Sequence, residues 1–244
     1  MQSLVKLVHI VVKKLAAIKK LRQRLFYGSA IAVLFFLGWV AVLHGVANLS
    51  GVYAERKLNK WAVQSAINQK ELVLVENSIK RALNLQPDNA HYHLLQAKLF
   101  EWKAFSDKEH ANTYLKKATS SLDASINYRP NWPNVWLEIA LIEHKLSRYD
   151  DRFQQAIITA EHLGGYKQDV TLGLIRLGFE TWYVRSAFMK GKLIEAIKRG
   201  LATEHTAWKV LELAKENGHV RIVCIVHRRL EGASALPAQV AECS

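Results

Sequence analysis

No acidic residue precedes Glu55, and no Asp, Glu, Lys or Arg lies between Phe26 and Ala54. The first absence leaves a leader whose charges, at Lys6, Lys13, Lys14, Lys19, Lys20, Arg22 and Arg24, are all positive. The second leaves an apolar run that fits a bilayer. At about 1.5 Å per residue, a helix over residues 26–49 spans a hydrocarbon core of roughly 30 Å. Backbone polar groups in lipid must bond to one another, so such a segment is helical. Cysteine is nearly missing, with 2 in the chain, which excludes a disulfide scaffold. Cys224 and Cys243 could pair if they lie outside the cytoplasm. The apolar run Ile222–Val226 favours a free, buried thiol at Cys224.

The chain also has few breakers: 12 glycines and 4 prolines in 244 residues. Strand-type alternation is almost absent. Motifs for chemistry are missing too. There is no Gly-rich phosphate loop, no HExxH, no cysteine pair at metal spacing and no nucleophile elbow. His91 and His93 are two apart and diverge on a helix, so they make a poor metal pair. The sequence points to no enzyme, no cofactor and no metal. Asp150 and Asp151 read as the N-terminal cap of a helix running to His162.

The charge pattern gives a topology. Seven cations precede the apolar run, while only Arg56, Lys57 and Lys60 follow closely. The positive-inside rule then puts the N-terminus in the cytoplasm and the rest beyond the membrane. A cleaved signal peptide is the competing reading, with Val52-Tyr53-Ala54 as a cleavage site. The basic region and apolar run are both too long for it, which favours an uncleaved signal anchor. Residues 1–25 suit a cationic amphipathic helix on the inner leaflet or a plain basic leader that only sets topology. Ala41 and Gly45 form one small-xxx-small pair, a hint of helix association. The net charge is +13, but only about +6 lies beyond the leader. With no stripe of arginine and interleaved aromatics, nucleic acid is not an expected partner.

From Arg56 onward, apolar residues recur at three- and four-residue spacings. Val75, Ile79, Ala82 and Leu83 form one such face; Val135, Ile139, Ala140 and Ile142 form another. Leu174, Leu177 and Gly178 start a third, and Trp208, Leu211, Val223 and Val226 belong to the last helices. The expected class is all-α: an N-terminal transmembrane helix, then stacked helical hairpins over residues 50–231, then a flexible tail over 232–244. Ala82–Pro87 aligns with Ser125–Pro130, each a helix end closed by proline, and Ala97 and Ala140 both lie ten residues beyond their proline. Gly164-Gly165 ends another helix.

This pattern resembles the tetratricopeptide repeat, a helix-turn-helix unit with small residues where helices cross. Trp136, Ile139, Ala140, Ala156 and Ala160 fit one unit, and Leu174, Leu177 and Gly178 fit the start of another. The spacing of 43 residues from Pro87 to Pro130 exceeds the repeat's 34, so longer helices or a loop are expected over 102–114. The resemblance implies a partner-binding groove along the first helix of each pair. Its positions map to His91, Leu94, Lys98 and Glu101, then Asn134, Leu137, Leu141 and His144.

A longer stretch carries a finer likeness. Tyr128-Arg129-Pro130-Asn131-Trp132-Pro133-Asn134-Val135-Trp136, Ala140-Leu141, Tyr149–Ala156 and Leu163-Gly164 together resemble the VpsP family. These are single-span, repeat-bearing proteins encoded in bacterial polysaccharide biosynthesis loci. The likeness covers about residues 75–230 and the anchor layout. It implies an inner-membrane, non-catalytic adaptor for exopolysaccharide synthesis and export, with a periplasmic domain. It assigns no catalytic residue. The competing readings are a general envelope scaffold for division or outer-membrane assembly, and a glycan-binding module. The latter needs open aromatic platforms at Trp102, Trp132 and Trp182.

Overall fold

The computed structural model describes residues 2–64, 67–184 and 186–230, with side chains described at 22 and from 25 onward. Among these residues the protein is all-α, with ten helices, one short 3₁₀ turn and no strand. The helices are α1 (Gln2–Gln64), α2 (Gln69–Leu85), α3 (Ala90–Ser106), α4 (Ala111–Tyr128) and α5 (Pro133–Lys145). They continue with α6 (Asp151–Gly164), α7 (Gln168–Glu180), α8 (Ala187–Leu201), α9 (Glu204–Glu216) and α10 (Val220–Arg228). The amphipathic reading of the leader and the flexible tail over 232–244 fall on side chains and residues outside those described.

Local chemistry sets the boundaries. Asn68, Asn89 and Asp150 each accept a backbone N–H at the start of their helices, from Lys70 (2.9 Å), His91 (3.0 Å) and Phe153 (3.2 Å). Each removes one of the orphan donors of a first turn. Asp150 is thus the cap expected for α6. Pro133 opens α5, where a missing N–H costs nothing. Trp136 Nε1 donates to the Pro130 carbonyl at 2.7 Å, and the Arg129 guanidinium lies 4.7 Å from the Trp132 ring. The Arg-Pro-Asn-Trp-Pro segment is therefore a packed helix start.

Successive helices pair as hairpins: the C-terminal part of α1 with α2, then α3 with α4, α5 with α6, α7 with α8 and α9 with α10. The helices of the α3/α4 pair have 17 and 18 residues, against 13 and 14 in α5/α6. Longer helices, not a large loop, account for the wide proline spacing. Fully buried small residues sit where the helices cross, among them Ala82, Ala118, Ala140, Ala156, Ala160 and Ala196. Side-chain bulk at those positions would hold the backbones apart. Two apolar clusters result. One gathers Ala54, Leu58 and Trp61 of α1 with α2 and α3; the other runs from α3 to α10. α3 feeds both, with Leu95 and Leu99 on one side and Leu94 and Ala97 on the other.

The residues from Leu25 to Gln64 form a helix long and apolar enough to cross a membrane. Leu34, Phe35, Phe36 and Trp39 are all exposed, as no protein element covers them. The helix continues unbroken past Leu49 into the first hairpin. One expectation is corrected. Cys224 is buried as foreseen, but it is disulfide-bonded and not a free thiol. A disulfide sulfur has no S–H to satisfy, so an apolar site suits it as well as a thiol. Cys243 lies outside the described residues.

Candidate functional site

The first helices of the hairpins line one face, and a cavity of about 740 Å³ opens there. Leu58, Asn59 and Ala62 of α1 form one wall. Lys98, Glu101, Trp102 and Phe105 of α3 face Glu138, Leu141 and Lys145 of α5. The start of α4 closes one end, and Arg176 of α7 reaches in from the next hairpin. Its walls mix apolar and charged groups, as clefts that orient a bound segment do.

The charges cross between helices. Lys98 lies 3.1 Å from Glu138, and Lys145 contacts Glu101. Both pairs tie α3 to α5. Burial pushes the Glu138 carboxyl above the usual carboxylate range. The neighbouring Glu138 charge holds the Lys98 ammonium above its usual value, against desolvation. Lys108 sits 4.7 Å from the Phe105 ring, and Arg176 is exposed with no ion pair among the described residues. The lining therefore holds two more cations than carboxylates.

Of the residues assigned to a groove, Lys98, Glu101 and Leu141 meet at this cavity. Leu94 and Leu137 are buried in the larger core at 5% and 7% exposure. His91 lies at one end of α3, 3.5 Å from Glu55 and 5.9 Å from the Trp132 ring. Asn134 donates to Asp169 at 2.5 Å, linking the starts of α5 and α7. His144 is at the opposite end of α5, 3.0 Å from the Tyr149 hydroxyl and 3.7 Å from Glu180. Tyr149 and Tyr183 share a hydrogen bond of 3.0 Å, and burial pushes the Tyr149 phenol up to about 12.

Sequence reasoning missed Phe105, Lys145, Glu138 and Arg176, and above all the α1 wall. Lys145 lies one turn beyond Leu141, so helical spacing alone points to it. Nothing in the sequence pairs Leu58 or Ala62 with α3. Trp102, Trp132 and Trp182 are each half-buried and packed on a core cluster, so none is an open platform. No group of three or more His, Cys, Asp or Glu side chains suited to a metal occurs among the described residues.

No family model matches the chain, and no curated protein matches it. Among solved structures it is similar to Pseudomonas aeruginosa pilF, at 14% identity over 78% of this chain and 80% of that one, with a TM-score of 0.49. A likeness of that strength assigns neither a family nor an activity.

Proposed function

We propose that this protein is a non-catalytic adaptor, held in the bacterial inner membrane by α1, that docks a partner protein in the groove between α1, α3 and α5. The observation that carries the reading is the mixed cavity itself. It combines Trp102, Phe105 and Leu141 with Arg176, which has no ion pair among the described residues, on helices locked together by Lys98–Glu138 and Lys145–Glu101. Apolar anchors and a few fixed charges recognise a peptide segment by shape and register. The charge-free run of α1 and the all-positive stretch before it support a cytoplasmic N-terminus and a periplasmic repeat domain. The polysaccharide setting rests on the VpsP resemblance around Arg129–Pro133, and its clients would be polymerase, ligase or export components. Half-burial of Trp102, Trp132 and Trp182 weighs against a glycan-binding role.

The test is cross-linking of the full-length protein in its native cell, followed by capture and mass spectrometry. The comparison is Phe105→Ala with Arg176→Glu, both exposed, so the fold is spared. Loss of a polysaccharide polymerase or export protein in the double variant is the expected result. Capture of division or outer-membrane assembly proteins instead would replace the polysaccharide setting with a general scaffold. Partners unchanged by the double variant would remove the groove from the proposal.

A further inference from the structure

The covered stripe of α1 begins inside the charge-free run. Val40 and Leu43 are already half-buried, and Ala47, Ser50, Gly51 and Ala54 follow as buried positions. His44 is hydrogen-bonded to Gln86 of the α2–α3 turn at 2.6 Å. A hydrocarbon core of roughly 30 Å, crossed at about 1.5 Å per residue, takes about twenty residues. Counted from Phe26, that depth ends near Gly45. The protein is thus already packed on α1 at the level where the lipid tails end.

The turns at that end of the solenoid are held together by contacts between hairpins. The His93 ring stacks on Tyr128, 5.6 Å apart, and bonds the Pro87 carbonyl at 2.7 Å. Gly164 lies against the Pro133 ring, and Asn134 reaches Asp169. The α2–α3, α4–α5 and α6–α7 turns therefore form one edge, the edge from which α1 departs. That edge presents Tyr166, 98% exposed, and Tyr128, 54% exposed, beside the cations Arg129 and Lys167. An exposed tyrosine gains nothing from water around its ring but fits the headgroup layer, with the ring toward the tails and the hydroxyl wet. Lysine and arginine beside it suit lipid phosphate.

We infer that this edge is a membrane-docking surface. Tyr128 and Tyr166 enter the headgroup layer, Arg129 and Lys167 contact phospholipid phosphates, and the repeat domain stands on the bilayer in one fixed orientation. The inference rests on α1 crossing the membrane. It deepens that reading by fixing the groove's position. The cavity lies toward the opposite end, by the α3–α4 turn, with Leu58 about 20 Å along α1 beyond Gly45. The groove is thus held out from the bilayer, toward a partner's segment beyond the headgroups.

Photocrosslinking of the full chain in phosphatidylethanolamine and phosphatidylglycerol liposomes tests it. A benzophenone amino acid replaces one residue at a time: Phe35 in the apolar run, Tyr166 on the docking edge, or Tyr183 at the opposite end. All three are exposed, so the fold is not at risk. Lipid adducts at positions 35 and 166, with several-fold less at 183, are expected. An adduct at 35 with none at 166, or equal yields at 166 and 183, overturns the docking edge and leaves the span standing. No adduct at 35 overturns the span and this inference with it.

Discussion

Arg148 grips Glu143 twice. Its backbone N–H bonds the Glu143 carbonyl at 2.9 Å, and its Nε lies 2.6 Å from the Glu143 carboxylate. Arg152 reaches the other carboxylate oxygen at 2.9 Å and extends to Asp123 on α4. The Glu143 side chain is 1% exposed, so these two guanidiniums compensate its charge: Arg152 donates a hydrogen bond to Oε1, while Arg148 pairs with Oε2 by charge without hydrogen-bond geometry. Removing one partner leaves the other. Removing both, as Arg148→Met with Arg152→Met, strands a buried carboxylate, which costs about 3–5 kcal/mol. Chemical denaturation should show that loss, and adding Glu143→Gln should restore much of it. A double variant as stable as the parent would mean that Glu143 is hydrated.

The same turn holds a residue whose conformation its side chain resists. Ser147 has φ 55°, and its N–H bonds the His144 carbonyl at 2.8 Å while Arg148 bonds Glu143. This is a Schellman end, the geometry that glycine serves best. Gly218 makes the matching end after α9, with φ 71° and open space around it. Ser147→Gly should stabilise by about 0.5–1 kcal/mol, and Gly218→Ala should destabilise by a similar amount. Thermal unfolding of the two variants should move in opposite directions.

How much of this was legible in the sequence depended on whether one helix or two carried the information. Val75, Ile79 and Ala82 are buried, as their spacing along a single helix announced. Pro130 and Pro133 likewise marked a helix end and a start, because proline acts locally. The groove needed relations between helices. Leu94 and Leu137 fell at groove register but face the core, because α3 packs between two clusters and α5 packs on Gly173 of α7. The α1 wall was hidden because its residues follow the apolar run on the same unbroken helix. Ser147 gave no signal because a serine at a left-handed position looks like any serine.

Two glycines on neighbouring helices should respond to alanine with opposite signs. A Cβ at Gly164 would lie 2.6 Å from Pro133 Cβ and 2.7 Å from its Cγ. A proline ring has no rotamer in which to retreat. Overpacking of this kind costs about 1–3 kcal/mol, more than the roughly 0.5–1 kcal/mol gained from a better helix former. Gly164→Ala should therefore lower stability. Gly191 sits inside α8 with nothing within 4 Å of its would-be Cβ. Only the propensity gain applies there, so Gly191→Ala should raise stability by about 0.5–1 kcal/mol. Urea midpoints of the two variants would decide it.

His144 should make the fold sensitive to mild acid. Its side chain is 14% exposed between α5 and α7, against the Tyr149 hydroxyl and near Glu180. Burial lowers its pKa below the ordinary 6.5, with Lys145 lowering it further and Glu180 opposing. The unfolded chain then binds a proton more readily than the folded one. The stability linked to His144 is complete above 6.5 and falls as pH drops through that value toward the depressed one. Below the folded pKa, this group contributes no further loss. Denaturant unfolding of the full chain in detergent, at about pH 8 and about pH 5, reads the difference. His144→Gln keeps an amide facing Tyr149 but cannot gain the charge. It should show a smaller acid loss than the parent, and an unchanged loss would place the sensitivity on another group.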